Sequence, residues 1–213
     1  MVPSTSLLLN IVVSSIAFIS FMKAGYFDPK LVLPFLASIP FAFFGGMLVL
    51  PIMTLALIFA GALFAASISL LSFGSKIELH RAKIIRSNLS IKQIAVLGVP
   101  IGVSLGTLAG IVGIGGGIWL SPLLILMGLA NSKQAGAAAS LFILLNSTTG
   151  FIANSISKPI DISLLIPLAL SVTAGGLIGS RYGAFKLNHD YIRKIIGLLV
   201  AAAATLLIFR FFL

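Results

Sequence analysis

The sequence contains no cysteine and very little acid: 4 Asp or Glu stand against 14 Lys or Arg, and only 8% of residues are charged. Without cysteine there is no disulfide framework and no thiolate metal site. A soluble domain carries roughly 25% charged residues. This chain is 59% hydrophobic with a mean hydropathy of +1.20, too apolar to clothe itself in a water-facing surface. The acids are Asp28, Glu78, Asp161 and Asp190, each in or beside a polar break. No nucleophile–base pair, carboxylate dyad or metal cluster falls within an apolar run, which sets enzymes and resident cofactors aside. The first residues, Met1–Ser6, hold no Lys or Arg, so no secretory leader is visible.

What is present is apolar length. Stretches of about 20 apolar residues recur, enough to cross a hydrocarbon core about 30 Å thick. In lipid the backbone must satisfy its own hydrogen bonds, so the choice lies between helices and a closed barrel. Long runs such as Ile52–Phe73 do not alternate as barrel strands do. The expectation is an all-α polytopic transmembrane bundle. Eight apolar segments are readable: Thr5–Met22, Leu31–Leu50, Ile52–Phe73, Ile94–Val112, Gly117–Ala130, Ala137–Ile156, Ile162–Ser180 and Tyr191–Leu213. The fifth is short and glycine-led, which leaves a crossing and a re-entrant element both open and gives seven or eight membrane segments.

The net charge of +10 does not call for nucleic acid, because the Lys and Arg lie between apolar runs, where the positive-inside rule places them. The longest polar stretch, Gly74–Gln93, carries Lys76, Arg81, Lys83, Arg86 and Lys92 against Glu78 alone. It is expected to face the cytoplasm. Counting outwards, the breaks with Lys23 and Lys30, with Lys133, and with Arg181 and Lys186 also fall inside, as do Arg193 and Lys194. The Pro51 turn and the loop of Lys158 and Asp161 fall outside; only Lys158 opposes the rule. His80 and His189 sit in polar loops and are expected to be solvated.

The two ends of the chain resemble each other. Ser6 to Asn10, Asp28, Pro34, Gly45-Gly46 and Gly61 are followed, about 130–136 residues later, by Ser140 to Asn146, Asp161, Pro167, Gly175-Gly176 and Gly197, an ordered match of the kind transporter repeats give. In the expected orientation the two copies run in opposite directions, so the repeat is inverted. This divides the chain into a partial first repeat (1–73), the basic loop (74–93) and a complete second repeat (94–213).

The densest signal is glycine. Gly98, Gly102, Gly106 and Gly110 recur every four residues and leave a groove for another backbone. Gly113-Ile-Gly115-Gly116-Gly117 then interrupts the helix, and Trp119-Leu-Ser-Pro122 begins a new one. Unwound backbone at membrane depth is tolerated where it is buried in protein or lines a cavity, and the N–H groups of Gly116, Gly117 and Ile118 would head the new helix as an anion-attracting terminus. A plain turn between helices is the competing reading. It is no nucleotide-binding loop, since the P-loop lysine is absent and no strand precedes it.

Gly106-Thr-Leu-Ala-Gly110-Ile-Val-Gly113-Ile-Gly115-Gly116-Gly117, then Pro122, Ala137-Ala-Ala-Ser140 and Asn146-Ser147-Thr148-Thr149-Gly150, resembles the sulfite exporter TauE/SafE family of membrane permeases. Ser4-Thr-Ser6, Asn10 and Asp28 resemble the family's first repeat. The resemblance implies transport of a small sulfur-containing anion, such as sulfite or an organosulfonate, across the cell membrane of a bacterium or archaeon. Two departures stand out. The family's first-repeat copy of the glycine block is expected within about 40–45 residues missing upstream of Met1, judged from the repeat offset, and a chain lacking it is expected to be a homodimer or a defective relative. Where the family has Gly-Thr-Ser, this chain has Ala138-Ala139-Ser140.

With no acid inside an apolar run to repel it, a small anion would be held by neutral donors: helix-start N–H groups, hydroxyls and amides. The expected substrate-binding residues are Gly113, Gly115, Gly116 and Gly117 at the break and Ser140, Asn146 and Thr149 on the sixth segment. Ser6 and Asn10 are their repeat partners, and Ser147 and Thr148 are further candidates on the same stretch. The alternatives are a carrier of other small anions and a non-transporting membrane scaffold, in which these side chains only bridge helices.

Overall fold

The computed structural model describes residues 3–47, 60–61, 63–64, 67–68, 70–72, 91–112, 117–155 and 162–212. Among these no strand occurs, and the expectation of an all-α bundle is met. The elements are α1 (Pro3–Lys23), a single turn α2 (Pro29–Val32) leading into a 3₁₀ turn (Leu33–Ala37), α3 (Ser38–Met47), α4 (Ile91–Val112), α5 (Gly117–Leu126), α6 (Ser132–Ser155), α7 (Ile162–Arg181), a π-helical turn (Tyr182–Lys186) and α8 (His189–Phe212). The described residues between 60 and 72 are also helical. Ser4–Lys23 and Ser132–Ala153 have both the length and the apolarity of membrane spans. The protein is a membrane helix bundle.

Several boundaries differ from the hydropathy reading for local reasons. The run Leu31–Leu50 is broken into α2, the 3₁₀ turn and α3. Asp28 caps α2 by accepting the Lys30 N–H at 3.0 Å, and Pro34 contributes no N–H to continue an α-helical ladder. The sixth helix starts at Ser132 rather than Ala137. A reciprocal cap begins it: the Gln134 N–H donates to Asn131 Oδ1 at 3.0 Å and the Asn131 N–H to Gln134 Oε1 at 3.2 Å, the capping-box arrangement. α4 takes in Ile91–Gln93, where no helix breaker stands. Gly25 (φ 78°) and Gly128 (φ 68°) end α1 and α5 in the left-handed region. At each, the paired bonds of a Schellman motif close the helix: Tyr26 N–H to Phe21 O with Gly25 N–H to Met22 O, and Leu129 N–H to Leu124 O with Gly128 N–H to Ile125 O.

α6 is the hub, packed against α1, α3, α4, α5 and α8. α1 lies antiparallel on it: Leu7 meets Gly150 near one end, and Phe21 meets Gly136 near the other. α7 runs parallel to α1, with Gly176 on Val13, a hydroxyl pair Ser20–Ser180 at 2.9 Å, and Gly183 near Phe21. Segment 60–72 is antiparallel to α8. Leu63 clusters with Val200 and Ala204, while Ser67 Oγ donates to Gly197 O at 2.8 Å and Leu70 and Leu71 press on Gly197. The main apolar core joins Leu31, Val32 and Phe35 to Leu120, Leu124, Ala138 and Phe142.

The glycine groove on α4 is filled. Pro34, Phe35 and Ser38 climb it in step with Gly98, Gly102 and Gly106. A methyl at Gly106 would overlap the Ser38 carbonyl oxygen and stand 2.7 Å from its Cβ; one at Gly102 would stand 3.1 Å from Phe35 Cα; one at Gly45 would overlap the Thr107 carbonyl oxygen. Backbone therefore meets backbone at a distance only glycine permits, as small-residue helix faces allow in membranes.

Candidate functional site

The hub helix carries the buried polar groups. Along α6, Ser140, Asn146 and Ser147 are buried, Thr149 is half-buried and Thr148 is exposed. Ser140 Oγ donates to Ala137 O at 2.9 Å, and Thr149 Oγ1 donates to Leu145 O at 2.7 Å. Both hydroxyls are thus occupied by their own helix, as Ser and Thr in apolar surroundings commonly are. Asn146 differs. It is 1% exposed; its Nδ2 donates to Phe142 O at 2.9 Å, leaving a second N–H, and its Oδ1 has no partner among the described residues. Ser147 Oγ is likewise buried with no partner among the described residues. A stranded amide or hydroxyl in an apolar interior is costly, so these two are the strongest marks of a polar site within the bundle.

The repeat partners on α1 are less enclosed: Ser6 and Asn10 are both half-buried. α1 crosses α6 with Leu7 beside Gly150, so the stretch holding Ser6 and Asn10 runs alongside the stretch holding Asn146 and Thr149. α4 ends at Val112 and α5 begins at Gly117, whose N–H thus lies in the first turn of a helix as expected. Gly113, Gly115 and Gly116 lie outside the described residues. Pro122 is buried on α5, which packs against α6 and α8.

Two features were missed from the sequence. Ser38, at the start of α3, is fully buried with its hydroxyl unpartnered among the described residues; a lone serine in an apolar run gives no signal. The second is a polar knot at one end of the bundle. Lys133 is 6% exposed, and its ammonium donates to Ala184 O at 3.1 Å and to the Tyr26 hydroxyl at 3.4 Å. Ser132 Oγ donates to His189 O at 3.2 Å. Arg193, 3% exposed, stands one turn after His189, with Nη2 3.9 Å from Asp190 Oδ1. The expectation of a solvated His189 is therefore corrected: the imidazole is half-buried and edge-on to Tyr26, with ring centroids 6.1 Å apart. It precedes the apolar run from Tyr191. Burial, then the nearby Lys133 charge, hold its pKa below the ordinary 6.5, and Asp190 opposes them. The Asn131–Gln134 cap was the available clue, since it places Lys133 inside a helix rather than in a loop.

This knot brings together the end of α1, the start of α6, the turn after α7 and the start of α8. The charge reading had put those four segments on one side of the membrane. The described residues form an all-helical membrane bundle whose hub helix carries buried polar groups. The model of the family described as Sulfite exporter TauE/SafE matches residues 1–207, and the chain belongs to that family. It is also similar to a Probable membrane transporter protein y4hK of Sinorhizobium fredii (strain NBRC 101917 / NGR234), 27% identical over 201 residues that cover 92% of this chain and 78% of the relative. No solved structure matches the chain.

Proposed function

We propose that this permease is a multi-pass secondary carrier of small sulfur-containing anions, sulfite or an organosulfonate, in the cell membrane of a bacterium or archaeon. The observation that carries the reading is Asn146: a fully buried amide on the hub helix, with a spare N–H and an unpartnered oxygen, next to the unpartnered Ser147 hydroxyl. The spare amide N–H of Asn146 and the Ser147 hydroxyl can both donate to an anion, and α6 contains no acid to repel it. In this reading Ser140, Thr149, Ser6 and Asn10 are further contacts for the anion, and Gly113, Gly115, Gly116 and Gly117 are assigned to it as backbone donors, Gly117 in the first turn of α5 and the other three outside the described residues. Sulfite as the substrate rests on membership of the sulfite exporter TauE/SafE family.

The packing supports two inverted halves working around this strip. Repeat partners α1 and α6 lie antiparallel on each other, as do segment 60–72 and α8. The contact of α7 with α1 has its counterpart in the contact of α3 with α6. Exchanging partners maps these contacts onto one another, which is the behaviour of a twofold axis in the membrane plane.

The test is flux of labelled sulfite into proteoliposomes. Saturable uptake is expected from the unmodified chain. Asn146→Leu and Gly116→Leu are expected to lower it at least tenfold while leaving insertion and monodispersity intact. Normal flux in both variants overturns the site; no flux of any sulfur anion in the unmodified chain favours a scaffold.

A further inference from the structure

Lys133 is the only charged residue of α6, and it does not belong to the strip around Asn146. The two are 13 positions apart, about 20 Å along the helix at 1.5 Å per residue. Its ammonium is buried, yet among the described residues its acceptors are neutral: the Ala184 carbonyl at 3.1 Å and the Tyr26 hydroxyl at 3.4 Å, with the Tyr26 ring centroid 4.8 Å away. A buried ammonium is normally met by a carboxylate or by several strong acceptors. One carbonyl, one long hydroxyl contact and a ring face leave this charge under-compensated. Beside it, His189 Nδ1 is buried and has no partner among the described residues. The three side chains converge from α6, from the end of α1 and from the start of α8.

Ala184 lies in the π-helical turn Tyr182–Lys186. Such turns disrupt regular helical bonding and are frequent at functional sites. Here the turn presents a carbonyl that an incoming anion can replace.

We propose that Lys133, Tyr26 and His189 form a docking site for a small oxyanion at the cytoplasmic mouth of the bundle, separate from the Asn146 strip. The anion draws the Lys133 ammonium from the Ala184 carbonyl and accepts from the Tyr26 O–H and from a protonated His189. The physiological ligand rests on the anion-carrier reading; the site itself does not.

The groups around His189 fix the sign of its pH dependence. Lys133 faces it from α6 and Tyr26 from the end of α1. Asp190 and Arg193 stand on its own first turn, and Lys186 of the π-helical turn stays over the Tyr182 ring at 4.7 Å. Asp28, two residues past Tyr26, is turned to the Lys30 N–H. With its pKa depressed, His189 is neutral near pH 7.5 and takes a proton only in acid. A bound anion favours that proton, so binding tightens as pH falls.

The experiment is equilibrium binding of labelled methanesulfonate, monoanionic throughout, to the full chain in nanodiscs at pH 5.5 and 8. The wild type is expected to bind several-fold tighter at pH 5.5. Lys133→Met is expected to weaken binding at least tenfold at both pH values, with Lys133→Arg restoring most of it. His189→Gln is expected to lose the pH dependence. Should Lys133→Met fail to fold, Tyr26→Phe, about threefold weaker, takes its place. Unchanged binding in Lys133→Met or Tyr26→Phe, or none in the wild type, overturns the docking site. If the Asn146→Leu variant loses flux while Lys133→Met keeps full affinity, the carrier reading stands and this site falls. If the wild type binds through Lys133 but transports no sulfur anion, the site stands and the carrier reading falls.

Discussion

α4 and α7 both carry glycines four residues apart, and among the described residues only one of the two stripes has its groove filled. On α4, Gly98 receives the Pro34 ring, and Gly102 and Gly106 receive the backbone of Phe35 and Ser38. On α7, Gly175 and Gly179 are exposed, and nothing among the described residues stands within 4 Å of where their Cβ atoms would be. Their neighbour Gly176, turned the other way, has Val13 Cγ2 at 3.1 Å. The same spacing therefore does two different things. A glycine repeat makes a shallow helix face; whether a backbone enters it depends on what the chain sends there. The α4 stripe is met by the 3₁₀ turn and the start of α3, which bring the Pro34 ring against Gly98 and the main chain of Phe35 and Ser38 against Gly102 and Gly106.

Substitutions at the two stripes are the direct way to break this comparison. The largest effect is expected from Gly106→Leu, where even the first methyl group overlaps the Ser38 backbone and no rotamer relieves it. Loss of nearly all monodisperse protein on size-exclusion chromatography is expected. Gly102→Ala is milder, because its methyl would stand 3.1 Å from Phe35 Cα and 3.3 Å from its carbonyl oxygen. Overpacking of this kind costs about 1–3 kcal/mol and should appear as a clear drop in the thermal unfolding midpoint in detergent. Gly175→Ala is expected to be the smallest and of opposite sign. Alanine is favoured over glycine in a helix by about 0.5–1 kcal/mol, so the midpoint should hold or rise slightly. A large loss at Gly175, or tolerance at Gly106, would invert the distinction between the filled and the open stripe.

Much of the fold was legible in the residues because lipid simplifies the problem. Apolar length gave α1, α4, α7 and α8 within a few positions, and charge placement grouped the segments that meet around Lys133. What hydropathy hid was local hydrogen bonding. The cap of α6 is polar, so Ser132–Gln134 read as loop, and the break at Leu33–Ala37 is apolar, so it read as continuous helix. The site divides in the same way. Asn146 stood out because an amide in an apolar run is expensive, and it proved buried. Thr149 and Ser140 were weaker candidates on the same helix, and their hydroxyls bond to their own helix, a choice set by rotamer and not by residue type. Ser38 and the pairing of Lys133 with Tyr26 and Ala184 had no sequence signal, since these partners lie 107 and 51 positions apart from Lys133.

Composition and spacing alone thus determined that the chain is a helical membrane protein, which ends of its helices share a side, and that glycine opens a face on α4. Each of these follows from per-residue transfer energies and helical periodicity, which are local properties. Tertiary structure alone decided which groove is filled, which polar atoms are stranded, and that a lysine counted as a topology marker is buried against neutral partners. Those depend on which surfaces meet, and contact between distant segments is not written in either one alone.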